Sequence, residues 1–445
     1  MKIILIVPAV GDSEDNKYIR SWQMEPLTMA VIAAATPSNI EIKLYDDRIE
    51  RINFKDTADL VAISVETYTA RRAYQIATVY KNRDIPVVMG GYHATLITDE
   101  VAGHADFVIT GEIEASWQDF LNDFKSGKAK KIYTHKERPS ISGIKPRREI
   151  FEKKNYLPIS LVETTRGCRF ACKFCSITSF YCHTCNYRPA SEVAAEIERL
   201  NKKYVFLVDD NIVSDKEQAG KLFDELAPLK VKWVSQGDIN VFSDETILKK
   251  MKNSGCEGML IGFESLDSKN LQDMGKSWNV MKSYDESMKK IHDSGISVYA
   301  TFIFGYDGDT DDTFKRVLDF ALKQNFFMAA FNHLVPFPGT PLYKQMEEQS
   351  RLIYDKWWLS EKFRFGDVCF KPKNMSADEI SEKCVEIRKA FYSGSSIIKR
   401  ALDLKNNCKN PEFIFYYFMV NLMLQREVTM KRKIMLGRQV TGELA

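Results

Sequence analysis

Two runs of alternating strand-like and helix-like segments, broken once by a stretch rich in proline and charge, constrain this chain more than any other feature. The first run reads KIILIVPAV, PLTMAVIAAAT, EIKLYDD, DLVAISVET, ARRAYQIATVYKNR, PVVMGG and DFVITGE. Short apolar runs followed by helix-period segments build an open α/β sheet with helices on both faces. Ligands of such sheets sit beyond the carboxyl ends of the strands, where the strand order switches. Those ends carry Pro8 to Asp12, Ser64 to Tyr68, Gly90 to Thr95 and Gly111 to Glu114. Small and polar residues there suit a ligand crevice. The break, ERPSISGIKPRREIFEKKNYLP, marks a linker. Beyond it strand and helix alternate six times, from LVETTRGC to FMAAFNHLVPFPG, which predicts a partial parallel barrel of six βα units. The expected division is a first domain 1–135, a linker 136–157, a barrel 158–350 and a helical C-terminal domain 351–445.

At 445 residues the chain exceeds one typical domain. A net charge of +3 gives no reason to expect a nucleic-acid partner. MKIILIVPAVG has too short an apolar run for a signal peptide and reads as a buried strand. No apolar stretch approaches the ~18 residues that a membrane-spanning helix needs. The odd count of nine cysteines argues against a secreted disulfide framework, so a cytoplasmic location is expected.

Three of those cysteines, Cys168, Cys172 and Cys175, lie in TTRGCRFACKFC. Thiolates spaced four and then three positions apart suit an iron–sulfur cluster, which usually takes four cysteines. A missing fourth ligand leaves one metal position open for a substrate or cofactor. Gly167 permits close backbone approach, and Phe174 is placed to shield the cluster's edge. A zinc loop normally brings two cysteines and a distant second pair, which this motif lacks.

The motif resembles that of the radical S-adenosylmethionine (SAM) superfamily, in which three cysteines hold a four-iron, four-sulfur cluster and SAM chelates the open iron. VMGGYHATL and VITGEIEASW narrow the resemblance to the cobalamin-dependent (class B) subclass, which commonly shows a Gly-Gly-x-His loop after one strand and a Gly-Glu-x-Glu loop after the next. FIFGYDGDTDDTF and LVPFPGTPLYKQM extend it to about residue 350. The resemblance implies an N-terminal Rossmann-like (flavodoxin-like) cobalamin-binding domain, a partial (β/α)6 radical SAM barrel and a C-terminal helical region. It also implies a mechanism: a deoxyadenosyl radical takes hydrogen from a substrate carbon, methylcobalamin delivers a methyl group, and a second SAM restores the cobalamin. Relatives use the same cofactors for cyclisation or rearrangement, so those remain alternatives. An iron–sulfur electron-transfer or sensor protein is the alternative of another class. An external one-electron reductant such as flavodoxin or ferredoxin is the implied partner, and the substrate stays open among small molecules, lipids, tetrapyrroles and peptides.

The candidate cobalamin contacts are Asp12, Ser64, Glu66, Thr67, Gly90, Gly91, Tyr92, His93, Gly111 and Glu112. Many cobalamin proteins carry an Asp-x-His-x-x-Gly loop whose histidine ligates cobalt, and no such loop occurs here. Cobalamin without a protein histidine on cobalt is therefore implied, with His93 as a contact only. Candidate SAM contacts are Asp210, Gln236, Glu264 and Ser265 at strand ends, because carboxylates and amides accept from an amino group and ribose hydroxyls. Asp209, Asp210 and Ser265 also suit helix N-caps. Tyr306 ends a later strand, where a tyrosine usually keeps its hydroxyl at a wet edge. Cys182 and Cys185 form a second Cys-x-x-Cys pair, too few ligands alone for a second metal. The segment PEFIFYYFMVNLMLQREVTMKRKIMLGRQ is expected to pack as a helical cap over the barrel with Phe415, Tyr416 and Phe418 as core. The other reading is a membrane-peripheral helix with Lys431, Arg432 and Lys433 near acidic head groups.

Overall fold

The computed structural model describes residues 1–11, 23–279, 284–430 and 434–438. The first sheet contains β1 (Lys2–Val7), β2 (Glu41–Asp46), β3 (Leu60–Ser64), β4 (Val87–Gly90), β5 (Phe107–Ile109) and β6 (Ile132–Tyr133). All of its pairings are parallel and the order is β2-β1-β3-β4-β5-β6. The chain leaves β1 to one side for β2 and returns to the other for β3, so the switch in order falls between β1 and β3. Apolar residues of both phases are buried, because both faces are covered. Ile4, Ile6, Val61 and Ile63 pack toward the helix Ala70–Lys81. Ile3, Leu5, Leu60 and Ala62 pack toward the helices Leu27–Ala35 and Trp117–Lys125.

The second sheet starts at β7 (Ser160–Val162). A hairpin of β8 (Thr165–Arg166) and β9 (Asn186–Tyr187) follows, then β10 (Tyr204–Leu207), β11 (Lys232–Gly237), β12 (Cys256–Glu264), β13 (Ser297–Phe304) and β14 (Met328–His333). Six strands pair in parallel in the order β14-β13-β12-β11-β10-β7. Phe263, Phe302, Phe304 and Phe331 are buried in the helix layer. Residues of the opposite phase, among them Gln236, Gly262 and Thr301, are half-buried along the concave side. A register shift between Gly262 and Glu264 interrupts β12, and Glu264 has φ +64. Such a bulge re-aims the side chain that ends the strand.

The segment 136–157 is tied to both sheets through Arg148, whose guanidinium bonds Glu25 and, at 2.8 Å, Glu196. The region 351–445, expected as one helical domain, divides instead. Trp357, Trp358 and Phe363 leave the barrel and enter the core of the first sheet. Leu436 joins them there, Gly437 N donates to Val10 O at 2.8 Å, and Arg438 pairs with the buried Asp47 at 3.1 Å. Among the described residues of this region, the part between carries the helices Ala377–Phe391, Gly394–Ala401 and Pro411–Met430.

The expected cap over the barrel mouth also needs correction. The helix Pro411–Met430 packs at the opposite end, where Tyr204, Lys232 and Phe327 lie at or beside the starts of strands. Its core residues are Phe413 and Tyr417. Phe415 is 63% exposed, and Tyr416 and Phe418 are half-buried. The contiguous aromatic run Phe415–Phe418 is four residues long and cannot turn every ring to one side of a helix with 3.6 residues per turn.

Candidate active site

The cysteine loop hangs between β8 and the helix Ser176–Tyr181, closed at its base by the β8–β9 hairpin. Gly167 has φ +95, and a Cβ there would lie 2.1 Å from Thr184 O, so only glycine fits. Its N–H donates to Asp210 Oδ2 at 2.7 Å. Lys173 N donates to Met274 O at 2.9 Å, and Leu342 N donates to Lys173 O at 3.0 Å. The loop is therefore fixed from three sides before any ligand arrives.

Burial pushes the Cys168 thiol up to about 12, and proximity to Cys175 and Cys172 adds to the shift. Burial likewise raises Cys172, to about 11, against the opposing charge of Lys276. Crowded, desolvated thiols are poor anions alone and good ligands once cationic iron compensates them. Among the described residues no three acidic, histidine or cysteine side chains converge tightly enough for a single metal ion. Three neighbouring thiols in one loop suit a cluster that each of them can ligate. Phe174 packs on the barrel core beside them. Cys182 is exposed and Cys185 half-buried, and no third donor completes a set with them among the described residues.

The barrel's strand ends hold buried charge. Asp209 is fully buried and accepts from Thr164 N, Thr165 N and Thr164 Oγ1 at 2.6–2.7 Å. It staples β10 to the start of the cysteine loop, while burial lifts its carboxyl to about 7. Asp210, raised to about 6 by burial, keeps one oxygen beyond the Gly167 bond. Gln236 lies half-buried on the concave side. The Glu264 carboxylate is already engaged, since Lys276 Nζ lies 2.8 Å away and also donates to Gly262 O at 2.9 Å. A Cβ on Gly262 would fall 2.3 Å from Glu264 Oε1, so the glycine makes room for the pair. Ser265 is buried, and its Oγ accepts from Asp267 N at 3.0 Å, so it also closes the turn after β12. Tyr306 is not at a wet edge. It is 8% exposed, its hydroxyl has no partner, and Glu264 and Cys172 lie close enough to reinforce the upward shift that burial produces.

A cavity of about 420 Å³ opens between the two sheets. Ser64, Glu66, Gly90, Gly91, Tyr92, Gly111 and Glu112 line it from the first sheet, and Glu163, Arg166 and Tyr181 from the barrel. Gly91 has φ +103, with space for a Cβ only 3.0 Å from Val65 backbone atoms. Glu66 projects into the cavity and is exposed to it, and the surrounding protein raises its carboxyl to about 7. Tyr92 packs on Phe180 at 4.5 Å, and Phe180 belongs to the helix that follows Cys175. One cavity wall thus touches the cluster loop directly.

Thr67 and His93 stand apart from this lining. His93 is fully buried, with Nδ1 3.2 Å from Thr67 Oγ1 and Nε2 3.2 Å from Glu100 Oε1. Glu100 also accepts from Trp358 Nε1 at 2.8 Å. The pair therefore holds the returning tryptophan segment, and the Gly-Gly-x-His signature joins a crevice glycine to a core histidine. Asp12 lies outside the described residues.

Sequence reasoning missed the contact that joins the two sheets. Arg166, two positions before Cys168 and 8% exposed, pairs with Glu114 at 2.8 Å, Glu163 at 2.8 Å and Glu112 at 3.3 Å. Arg138 grips Glu112 at 2.7 Å and donates to Arg166 O at 3.3 Å. Both glutamates of the Gly-Glu-x-Glu loop are consumed in this clamp. The motif spacing identifies the loop, but no pattern announces its partner 52 residues away.

A three-thiol loop at the carboxyl end of a partial parallel barrel is the site of a radical SAM protein. Residues 162–321 match the radical SAM superfamily. The chain is 30% identical over 388 residues to the bacteriochlorophyllide d C-12(1)-methyltransferase of Chlorobaculum tepidum, covering 84% of each. It is 26% identical to the C-8(2)-methyltransferase of that organism, covering 84% of this chain and 87% of the relative. The structure aligns with the radical SAM methyltransferase TsrM of Kitasatospora setae, solved with cobalamin and a [4Fe-4S] cluster. The TM-score is 0.63 at 16% identity, over 78% of this chain and 75% of that one, a likeness of fold. The chain belongs to the cobalamin-dependent, class B, radical SAM enzyme family.

Proposed function

We propose that this enzyme methylates a carbon centre of a small molecule, with a tetrapyrrole as the substrate class to test first. The observation that carries the reading is the 30% identity to a bacteriochlorophyllide methyltransferase across 84% of both chains. The first sheet serves as the cobalamin-binding domain. Its wall of Ser64, Glu66, Gly90, Gly91, Tyr92, Gly111 and Glu112 would hold that cofactor at the switch in strand order. His93 is committed to Thr67 and Glu100, which supports binding without a protein histidine on cobalt. Cys168, Cys172 and Cys175 would hold the cluster. Asp210 would accept from the SAM amino group, with Gln236 and the Glu264–Lys276 pair around the rest.

When bound, the cluster with SAM supplies a radical that removes hydrogen from carbon, and cobalamin supplies the methyl group. The protein's part is position. Asp210 fixes the backbone at Gly167 beside the first ligand, the Arg166–Glu114 clamp fixes that loop against the crevice, and Tyr92 closes the seam between them. Phe174 and Phe180 keep bulk water from the cluster side, which protects a reactive intermediate. An external one-electron reductant, of the flavodoxin or ferredoxin kind, would supply the electron.

Anaerobic reconstitution with iron, sulfide and hydroxocobalamin tests the reading, with a tetrapyrrole bearing an alkyl side chain as substrate. Stoichiometric cobalamin, 5′-deoxyadenosine, S-adenosylhomocysteine and a product heavier by one methylene are expected. Deoxyadenosine without S-adenosylhomocysteine would replace methylation with cyclisation or rearrangement.

A further inference from the structure

Eight of the twelve exposed large hydrophobic residues in the described structure fall between residues 398 and 430. They cover the C-terminal helices at the end of the barrel away from the cysteine loop. On the helix Pro411–Met430 the inner face is set by Phe413, Tyr417 and Asn421, all buried. Asn421 Nδ2 donates to Phe327 O at 3.1 Å. The outer face carries Phe415, Met419, Leu422 and Met430, between 44% and 63% exposed. Their spacing of four, three and eight puts them in one stripe directly opposite that anchor. The helix Gly394–Ala401 is anchored on the same strand entry, with Arg400 Nη1 donating to Phe326 O at 2.9 Å. Its outward turn adds Ile398, 63% exposed, and Leu402 follows at 74%. Exposed apolar side chains concentrated in this way on one region of a folded chain, with the exposed Arg426 on the same helix face, mark a contact surface.

The charges around the face decide what covers it. Lys399 follows Ile398 on the exposed turn, and Lys389 is exposed near the end of the helix Ala377–Phe391, which packs against Pro411–Met430 through the bond from Gln425 Nε2 to Tyr392 O at 2.6 Å. The neighbouring carboxylates are taken: Glu412 pairs with Lys203 at 2.6 Å, Asp403 with His292 at 3.5 Å, and Glu427 is buried. A second copy docked here would set lysines against lysines, whereas an anionic bilayer offers acyl chains to the stripe and head groups to the lysines. No described helix is long and apolar enough to cross a membrane, so contact would be in the plane of the interface.

We propose that this face docks the enzyme peripherally on an anionic lipid surface, with the barrel mouth and the cavity turned to the opposite side. The inference is independent of the reaction assigned to the site. It is tested by co-sedimenting the reconstituted full chain with vesicles of phosphatidylglycerol and phosphatidylcholine, and with phosphatidylcholine alone, at low and high salt. Binding to the anionic vesicles that falls at least tenfold with high salt or without phosphatidylglycerol is expected. The double substitution Phe415→Ser with Leu422→Ser should weaken it at least tenfold, with iron content, cobalamin content and circular dichroism unchanged. No vesicle binding, or equal binding by the variant, overturns the proposal. A concentration-dependent dimer in light scattering that the same variant dissociates would also overturn it, assigning the face to a second copy.

Discussion

The two sheets follow one construction rule and use their carboxyl ends in opposite ways. The first sheet ends in residues that remove bulk: Ser64, Gly90, Gly91 and Gly111 leave a cavity, and the carboxyl that enters it, Glu66, has no cation beside it. The barrel ends in buried charge, with Asp209, Asp210 and the Glu264–Lys276 pair each fixed by named donors. The contrast suits the two cofactors proposed above. A wide, mostly apolar ring needs space and close backbone approach, whereas SAM, with its ammonium, carboxylate and sulfonium, needs charges held in place in advance.

The largest expected break of this contrast comes from Cys172→Ser. Iron content should fall to background and SAM cleavage should drop well beyond the roughly 10–100-fold typical of changes around metal ligands, while cobalamin retention, measured by absorbance, stays intact because the crevice is untouched. Next is Lys276→Met, which strands Glu264 as a buried unpaired carboxylate. The loss should be about 3–5 kcal/mol in denaturant unfolding, and the double variant with Glu264→Gln should recover most of it. If the single variant is as stable as the parent, the pair is not the electrostatic unit described here.

Gly91→Ala forces a side chain onto a left-handed backbone. A cost of about 1–3 kcal/mol is expected, with a several-fold loss of cobalamin retention and unchanged iron per chain. Parallel loss of iron would mean that the two sites are less separable than their geometry indicates.

The smallest effect is a pH slope from Glu66, whose carboxyl the cavity walls raise from 4.5 to about 7 and whose exposure to the cavity leaves only a small part of that shift as stability. Folding favours its neutral form. The stability it contributes is therefore fully present below about 4.5 and lost as pH rises through 7. In the cofactor-free protein Glu66→Gln should match the parent near pH 5 and exceed it at pH 8 by urea midpoint. Equal midpoints at both pH values would mean that solvent in the open cavity screens Glu66 fully.

Much of this was legible in the sequence. Alternating apolar runs announced both sheets, because a strand covered on both faces must be apolar throughout, as KIILIV is. The cysteine spacing announced its chemistry because ligands within one loop are local. Lys276 was invisible, since a single lysine in DMGKSW carries no pattern and gains its role only when a bulge in β12 turns Glu264 toward it. His93 misled because its neighbours Gly90 and Gly91 line the crevice while its own ring turns to Thr67 and Glu100.

Local signals settle the strand and helix alternation, the cysteine loop and the glycine turns. Periodicity and spacing follow from backbone geometry, which every short segment carries with it. Which partners meet across long separations is settled by packing. It brought Arg166 onto Glu112 and Glu114, returned Trp357 and Trp358 to the first sheet, and sent Phe415 outward while Phe413 and Tyr417 turned in. Such choices depend on how whole faces pack, and a residue's neighbours in space are not written in its neighbours along the chain.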